Sequence, residues 1–85
     1  MKRETALKLF EIYKLQCEYG RNVYPEELRG HGICSERELK DLFAELQEVF
    51  AIEEHNVMGA NTYRVTNIGV AQLESYLDIR REMYE

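Results

Sequence analysis

Apolar and polar positions follow two different periods along this chain, and the change from one to the other divides it into elements. From Thr5 to Tyr19, Ala6, Leu9, Phe10, Tyr13 and Cys17 recur at offsets of three, four, seven and eleven. That spacing places them on one face of a helix, and Gly20 supplies its stop. Ile12, Leu15 and Tyr19 fall on a different face, so this first helix is apolar on two sides. "RNVY" predicts a very short strand before Pro25. Proline suits the first position of a helix, so "PEELRG" reads as a short second helix stopped by Gly30, and "HGI" as a turn. "SERE", Ser35 to Glu38, is a capping box, a serine followed three residues later by a glutamate. The third helix that it opens turns Leu39, Leu42, Phe43 and Leu46 inward and ends near Glu48.

"VFAIEEHNV" then alternates, with Phe50 and Ile52 on one face and Glu53 and His55 on the other, the pattern of a half-buried strand. Gly59 and Asn61 in "MGAN" provide a turn, and "TYRVT" returns as a partner strand with Tyr63 and Val65 on one side. Thr66 ends that strand and caps the helix that follows, because its hydroxyl can accept a free amide of the first turn. The last helix is predicted from about Asn67 to Tyr84. It carries Val70, Leu73, Tyr76, Leu77 and Tyr84 in one stripe and Ile68, Ile79 and Met83 on an adjacent face. At ~1.5 Å per residue it would be about 25 Å long, generous for a small core.

The 85 residues make a single domain, 1–85, mainly α with a small β-hairpin. A chain of this size buries about 60–65% of the surface its unfolded form exposes. No apolar run approaches the roughly 20 residues of a membrane span, and "MKRETALKLF" has no long apolar stretch or small-residue cleavage site. The expected location is therefore the cytoplasm, with reduced cysteines. Cys17 is expected to face the core, and Cys34 to be the exposed thiol. With His31 and His55 they give four possible metal ligands, of which only His31 and Cys34 are close in sequence, and paired Cys-x-x-Cys clusters are missing, so no metal or cofactor is expected. The carboxylate pairs Glu26–Glu27 and Glu53–Glu54 have no histidine or nucleophile at a matching spacing, and no glycine-rich phosphate loop is present, so the chain reads as a non-enzyme.

The order helix, short strand, helix, capped helix, hairpin, helix resembles the winged helix-turn-helix proteins. "YRVTNIGVAQLESYL" is similar to the segment that ends the wing in small prokaryotic regulators of the MarR and PadR type. "SERELKDLFAELQEVFAI" resembles their recognition helix and first wing strand. The resemblance covers roughly Thr5 to Leu77. Where such families usually have a glycine between the third helix and the first wing strand, this chain has "EVFAI", with Val49 or Phe50 at that place.

The resemblance implies a DNA-binding transcriptional regulator, with the third helix in the major groove and the hairpin on the backbone or minor groove. Its candidate contacts are Ser35, Arg37 and Lys40 on the third helix, Arg29 before it and Arg64 on the wing. Arginine suits the role because its planar fork pairs bidentately with guanine or phosphate. A homodimer through the terminal helices is also implied, using Ile12, Leu15, Tyr19, Ile79 and Met83, which one small core cannot all bury. Charge pulls the other way. The net charge is −5, and the third helix carries five carboxylates against two cations, whereas phosphate neutralisation supplies most non-specific affinity for DNA. The alternative expectation is a winged-helix module for protein–protein contacts, its acidic third helix facing a basic partner. Metal- or redox-controlled regulation through Cys34 and His31 ranks below both.

Overall fold

A computed structural model describes residues 1–77. It contains helices α1 (Arg3–Tyr19), α2 (Pro25–Gly30) and α3 (Glu36–Glu48), strands β1 (Ile52–Val57) and β2 (Ala60–Val65), and helix α4 (Asn67–Leu77). The strands pair antiparallel, with Ile52 opposite Val65 and Val57 opposite Ala60. Val23 adds a single bridge on the other side of β2, exchanging backbone bonds of 2.8 and 2.9 Å with Tyr63. The short strand expected in "RNVY" is thus one residue of true pairing.

Local signals explain most boundaries. Gly20 closes α1 in the left-handed region, φ 65°, as the sequence predicts. At the start of α3 the Ser35 hydroxyl accepts from the Glu38 amide, while the Glu38 carboxylate accepts from the Ser35 amide. Both halves of the capping box therefore form, satisfying amides that have no partner inside the helix. Thr66 performs two tasks: its hydroxyl accepts from the Gly69 amide at 3.0 Å and donates to the Phe50 carbonyl at 2.6 Å. It caps α4 and ties that helix to the turn after α3.

Gly69 is required by packing. A Cβ there would clash with the Ala51 carbonyl oxygen and come within 2.8 Å of Val65 Cγ1. The first turn of α4 lies directly on backbone, and only glycine permits that approach.

The core corrects several expectations. Ile12 and Leu15 are buried within the chain itself. The physical reason is that α1 is the central helix, packed against α3, α4 and β2 together. Ala6, Leu9 and Tyr13 of one stripe and Ile12 and Leu15 of the other form one buried face, so Ile12 and Leu15 are not free for a partner. Tyr19 is exposed, but its hydroxyl lies 2.9 Å from His31 Nε2 and its ring carries the Arg21 guanidinium. Ile79 and Met83 lie outside the described residues, as does Tyr84.

The cysteines exchange their expected places: Cys17 is exposed and Cys34 is buried. Cys17 sits near the exposed end of α1, whereas Cys34, just before α3, joins the buried core. Burial pushes the Cys34 thiol above its ordinary value, with Lys8 acting against that shift. Phe50, expected on the inner face of a strand, is instead 70% exposed and adopts φ 59°. It occupies the tight turn between α3 and β1 in the backbone region that favours glycine. Ile52 starts the strand and is buried as expected, but Tyr76, placed in the inward stripe of α4, is 48% exposed.

Candidate nucleic-acid interface

α3 has two exposed flanks with opposite character. Towards α1 it presents Glu38, Asp41 and Glu45, at offsets of three and seven, beside Glu4, Lys2 and Lys8. These carboxylates are partly engaged. Lys8 Nζ lies 2.9 Å from Glu38 Oε2, and the Thr5 hydroxyl donates to Glu45 Oε1 at 3.0 Å. The Lys8 hydrogen bond, and after it the bonds from Ser35, hold the Glu38 carboxyl at about 2, below its ordinary 4.5.

Towards the hairpin α3 presents Lys40, Ala44 and Gln47, at offsets of four and seven, around a groove of about 510 Å³ that Tyr63, Pro25 and Leu39 also line. Phe43 and Tyr63 form its floor, their rings stacked with centroids 4.0 Å apart and 16° between planes. The stack fixes β2 against α3 and accounts for the burial of Phe43. Tyr63 also donates its hydroxyl to Glu54 Oε1 at 3.2 Å. Burial, first, and then the neighbouring Glu54 raise the Tyr63 phenol above its ordinary value. Among the described residues Glu36 is the carboxylate that lines this groove, with Glu54 next to it on the Tyr63 hydroxyl, and Arg29 Nη1 lies 3.3 Å from Glu36 Oε1.

The sequence-predicted residues divide accordingly. Arg37 and Lys40 are exposed, and neither makes an ion pair among the described residues. Arg29 reaches the same end of α3 through Glu36. The Ser35 hydroxyl is occupied by the capping box, so it positions α3 and is not a free donor. Arg64 is not brought to this surface. Successive side chains on a strand point to opposite faces; Tyr63 faces α3, and Arg64 lines a separate groove with Gln16, Cys17 and Arg21 near the end of α1.

Ala44 and Gln47 were not among the candidates. Their spacing from Lys40 was a readable signal, since i, i+4 and i+7 share a helix face. Summing charge over the whole helix hid it.

Arg21 supports the frame next to this surface. Its guanidinium makes two parallel 2.9 Å bonds to Glu27 and sits over the rings of Tyr19 and Tyr24. The clamp fastens the end of α1 to the start of α2, and the Arg21 bond holds the Glu27 carboxyl below its ordinary value.

No three of the described His, Cys, Asp and Glu residues lie close enough together to hold a metal ion. No helix among the described residues is long and apolar enough to cross a membrane. Compared with known proteins, the chain matches no family model, no curated protein and no solved structure.

Proposed function

We propose that this chain is a small winged helix-turn-helix protein that binds duplex DNA as a homodimeric transcriptional regulator. The observation that carries the reading is the segregation of charge on α3. Three of its carboxylates, Glu38, Asp41 and Glu45, turn towards α1, which leaves Lys40, Ala44 and Gln47 on the flank beside the hairpin with Glu36, itself paired with Arg29. A major groove about 12 Å wide admits such a helix. Lys40 and Arg37 would meet phosphate or guanine, Gln47 can pair with adenine, and Ala44 can lie against a thymine methyl. Arg29 is available as well: its pair with Glu36 is an exposed one, of a kind worth about 0–1 kcal/mol, so a phosphate can displace it.

The homodimer rests on apolar surface that the chain leaves exposed on its terminal helices, Leu7 on α1 and Tyr76 on α4. Pairing two copies would double a modest set of cations, which is how an acidic protein gains affinity for a polyanion. Sedimentation at micromolar concentration tests it. A dimer mass for the wild type and a monomer mass for Tyr76→Glu are expected, and a monomer in both rejects the dimer.

A second reading has its own support. The carboxylate-lined flank facing α1 suits a basic protein partner and would make the fold an interaction module. Titration onto mixed-sequence duplex DNA separates the two. The regulator should bind at low salt, lose affinity steeply as salt rises, and bind more weakly as Arg37→Ala. No binding at low salt rejects the regulator and favours the module.

A further inference from the structure

The two edges of the hairpin differ in what covers them. On the outer side of β2, Tyr63 exchanges backbone bonds with Val23, and the Val65 amide donates to the Gln16 side chain at 2.6 Å. In an antiparallel pair, residues alternate between those bonded across the ladder and those whose amide and carbonyl point outward. Tyr63 and Val65 are of the outward kind, so their partners Glu54 and Ile52 are too, and Asn56 follows two residues on. No backbone group among the described residues pairs with the outward groups of these three. Every residue of β1 after Ile52 is exposed. One edge is closed by α1 and the bridge at Val23, and the other is open.

An open edge is a template for a further strand, and the side chains beside it select that strand. From Ile52 to Tyr63 the chain carries two carboxylates, Glu53 and Glu54, and no lysine or arginine. Being consecutive, they stand on opposite faces of the ribbon. Glu53 has His55 beside it at 3.0 Å, and Glu54 accepts from the Tyr63 hydroxyl at 3.2 Å. Arg64 is opposite Glu53 in the register but makes no ion pair with it. A strand laid along β1 would bring its side chains to about 5 Å from these carboxylates. A second copy of β1 fits badly. Antiparallel registers centred on Glu53 or Glu54 set like charge opposite like charge, and the one centred on His55 makes the two Glu54 residues diagonal neighbours. Two consecutive basic residues would instead meet one carboxylate on each face.

We propose that the outer edge of β1 pairs with an extended segment of a partner protein that carries two consecutive lysines or arginines opposite Glu53 and Glu54. The inference does not depend on DNA binding, and its surface is distinct from the α1-facing flank of α3. The probe is a capped hexapeptide, Thr-Val-Lys-Lys-Val-Thr, added at millimolar concentration to the labelled protein, with Thr-Val-Glu-Glu-Val-Thr as control. The lysine peptide should slow hydrogen exchange at the Glu54 and Asn56 amides several-fold, and the glutamate peptide should not. Glu54→Pro removes a donor from the open edge, where a strand tolerates proline. It should keep the near-ultraviolet dichroism of the Phe43–Tyr63 stack and lose the peptide. Glu54→Gln keeps the donor and should weaken the peptide several-fold through charge alone. Equal effects of the two peptides overturn the selection of a basic strand. Resonance shifts confined to Glu38, Asp41 and Glu45, or unweakened binding by a folded Glu54→Pro, overturn the edge as the site. Protection that rises with protein concentration alone assigns the edge to a second copy and overturns the proposal, as does no effect of the lysine peptide on the wild type. None of these results bears on the titration with DNA.

Discussion

The two flanks of α3 share one helix and differ in almost everything else. On the side of α1, side chains are committed: Lys8 to Glu38, Thr5 to Glu45, and Glu38 to Ser35. Towards the hairpin the floor is committed, Phe43 on Tyr63, while Lys40, Ala44 and Gln47 above it are exposed. One flank secures the helix, and the other is left to meet a ligand. A helix with an excess of carboxylates can therefore still present a face without that excess.

The comparison breaks most severely at the floor. Phe43→Ala should cost about 3–5 kcal/mol in urea denaturation, through lost apolar burial and a cavity beneath Tyr63. A loss below about 1 kcal/mol would mean that the stack does not hold the hairpin to α3. Next is the junction that sets the height of the hairpin. Gly69→Ala forces a Cβ onto the Ala51 carbonyl and should destabilise by about 1–3 kcal/mol, the usual range for overpacking. An unchanged denaturation midpoint would show that α4 can retreat.

Effects on the committed flank itself are smaller. Ser35→Ala removes a cap and should cost about 1 kcal/mol. The same capping box sets an acid response. Because the folded Glu38 carboxyl sits at about 2 rather than 4.5, its contribution is complete above pH 4.5 and is lost as pH falls through about 2. Glu38→Gln should flatten that part of the acid unfolding curve, and identical curves would remove Lys8 and Ser35 as its cause. Gln47→Ala, on the open flank, should change stability by no more than about 0.5 kcal/mol. A larger loss would make Gln47 a structural residue.

What the sequence made legible was local. "SERE", Gly20 and Thr66 each name a hydrogen bond or a dihedral within a few residues, and each forms as read. Misreadings arose where the answer depended on distant neighbours. A stripe such as Ile12 and Leu15 shows that residues are buried, but the same stripe results whether α4 or a second chain covers it. Phe50 follows the alternation of the strand, yet the chain needs a left-handed residue there to turn out of α3, so it leaves the pattern. Cys17 lies at the margin of α1, where period assigns a face but cannot tell where the core stops, and Cys34 lies before the cap of α3, where no period applies. At the candidate site, Arg37 and Lys40 were readable as exposed cations. The separation of Arg64 from them depends on which face of β2 meets α3, and the Phe43–Tyr63 stack decides that.

The most direct test is to follow the backbone amide resonances of the labelled protein during titration with a mixed-sequence duplex at low salt. Shifts should concentrate at Arg37, Lys40, Ala44, Gln47 and the hairpin, and leave Glu4, Asp41 and Glu45 nearly still. Shifts centred on the α1-facing flank, or no shifts at all, would contradict the assignment of the open flank of α3 to DNA.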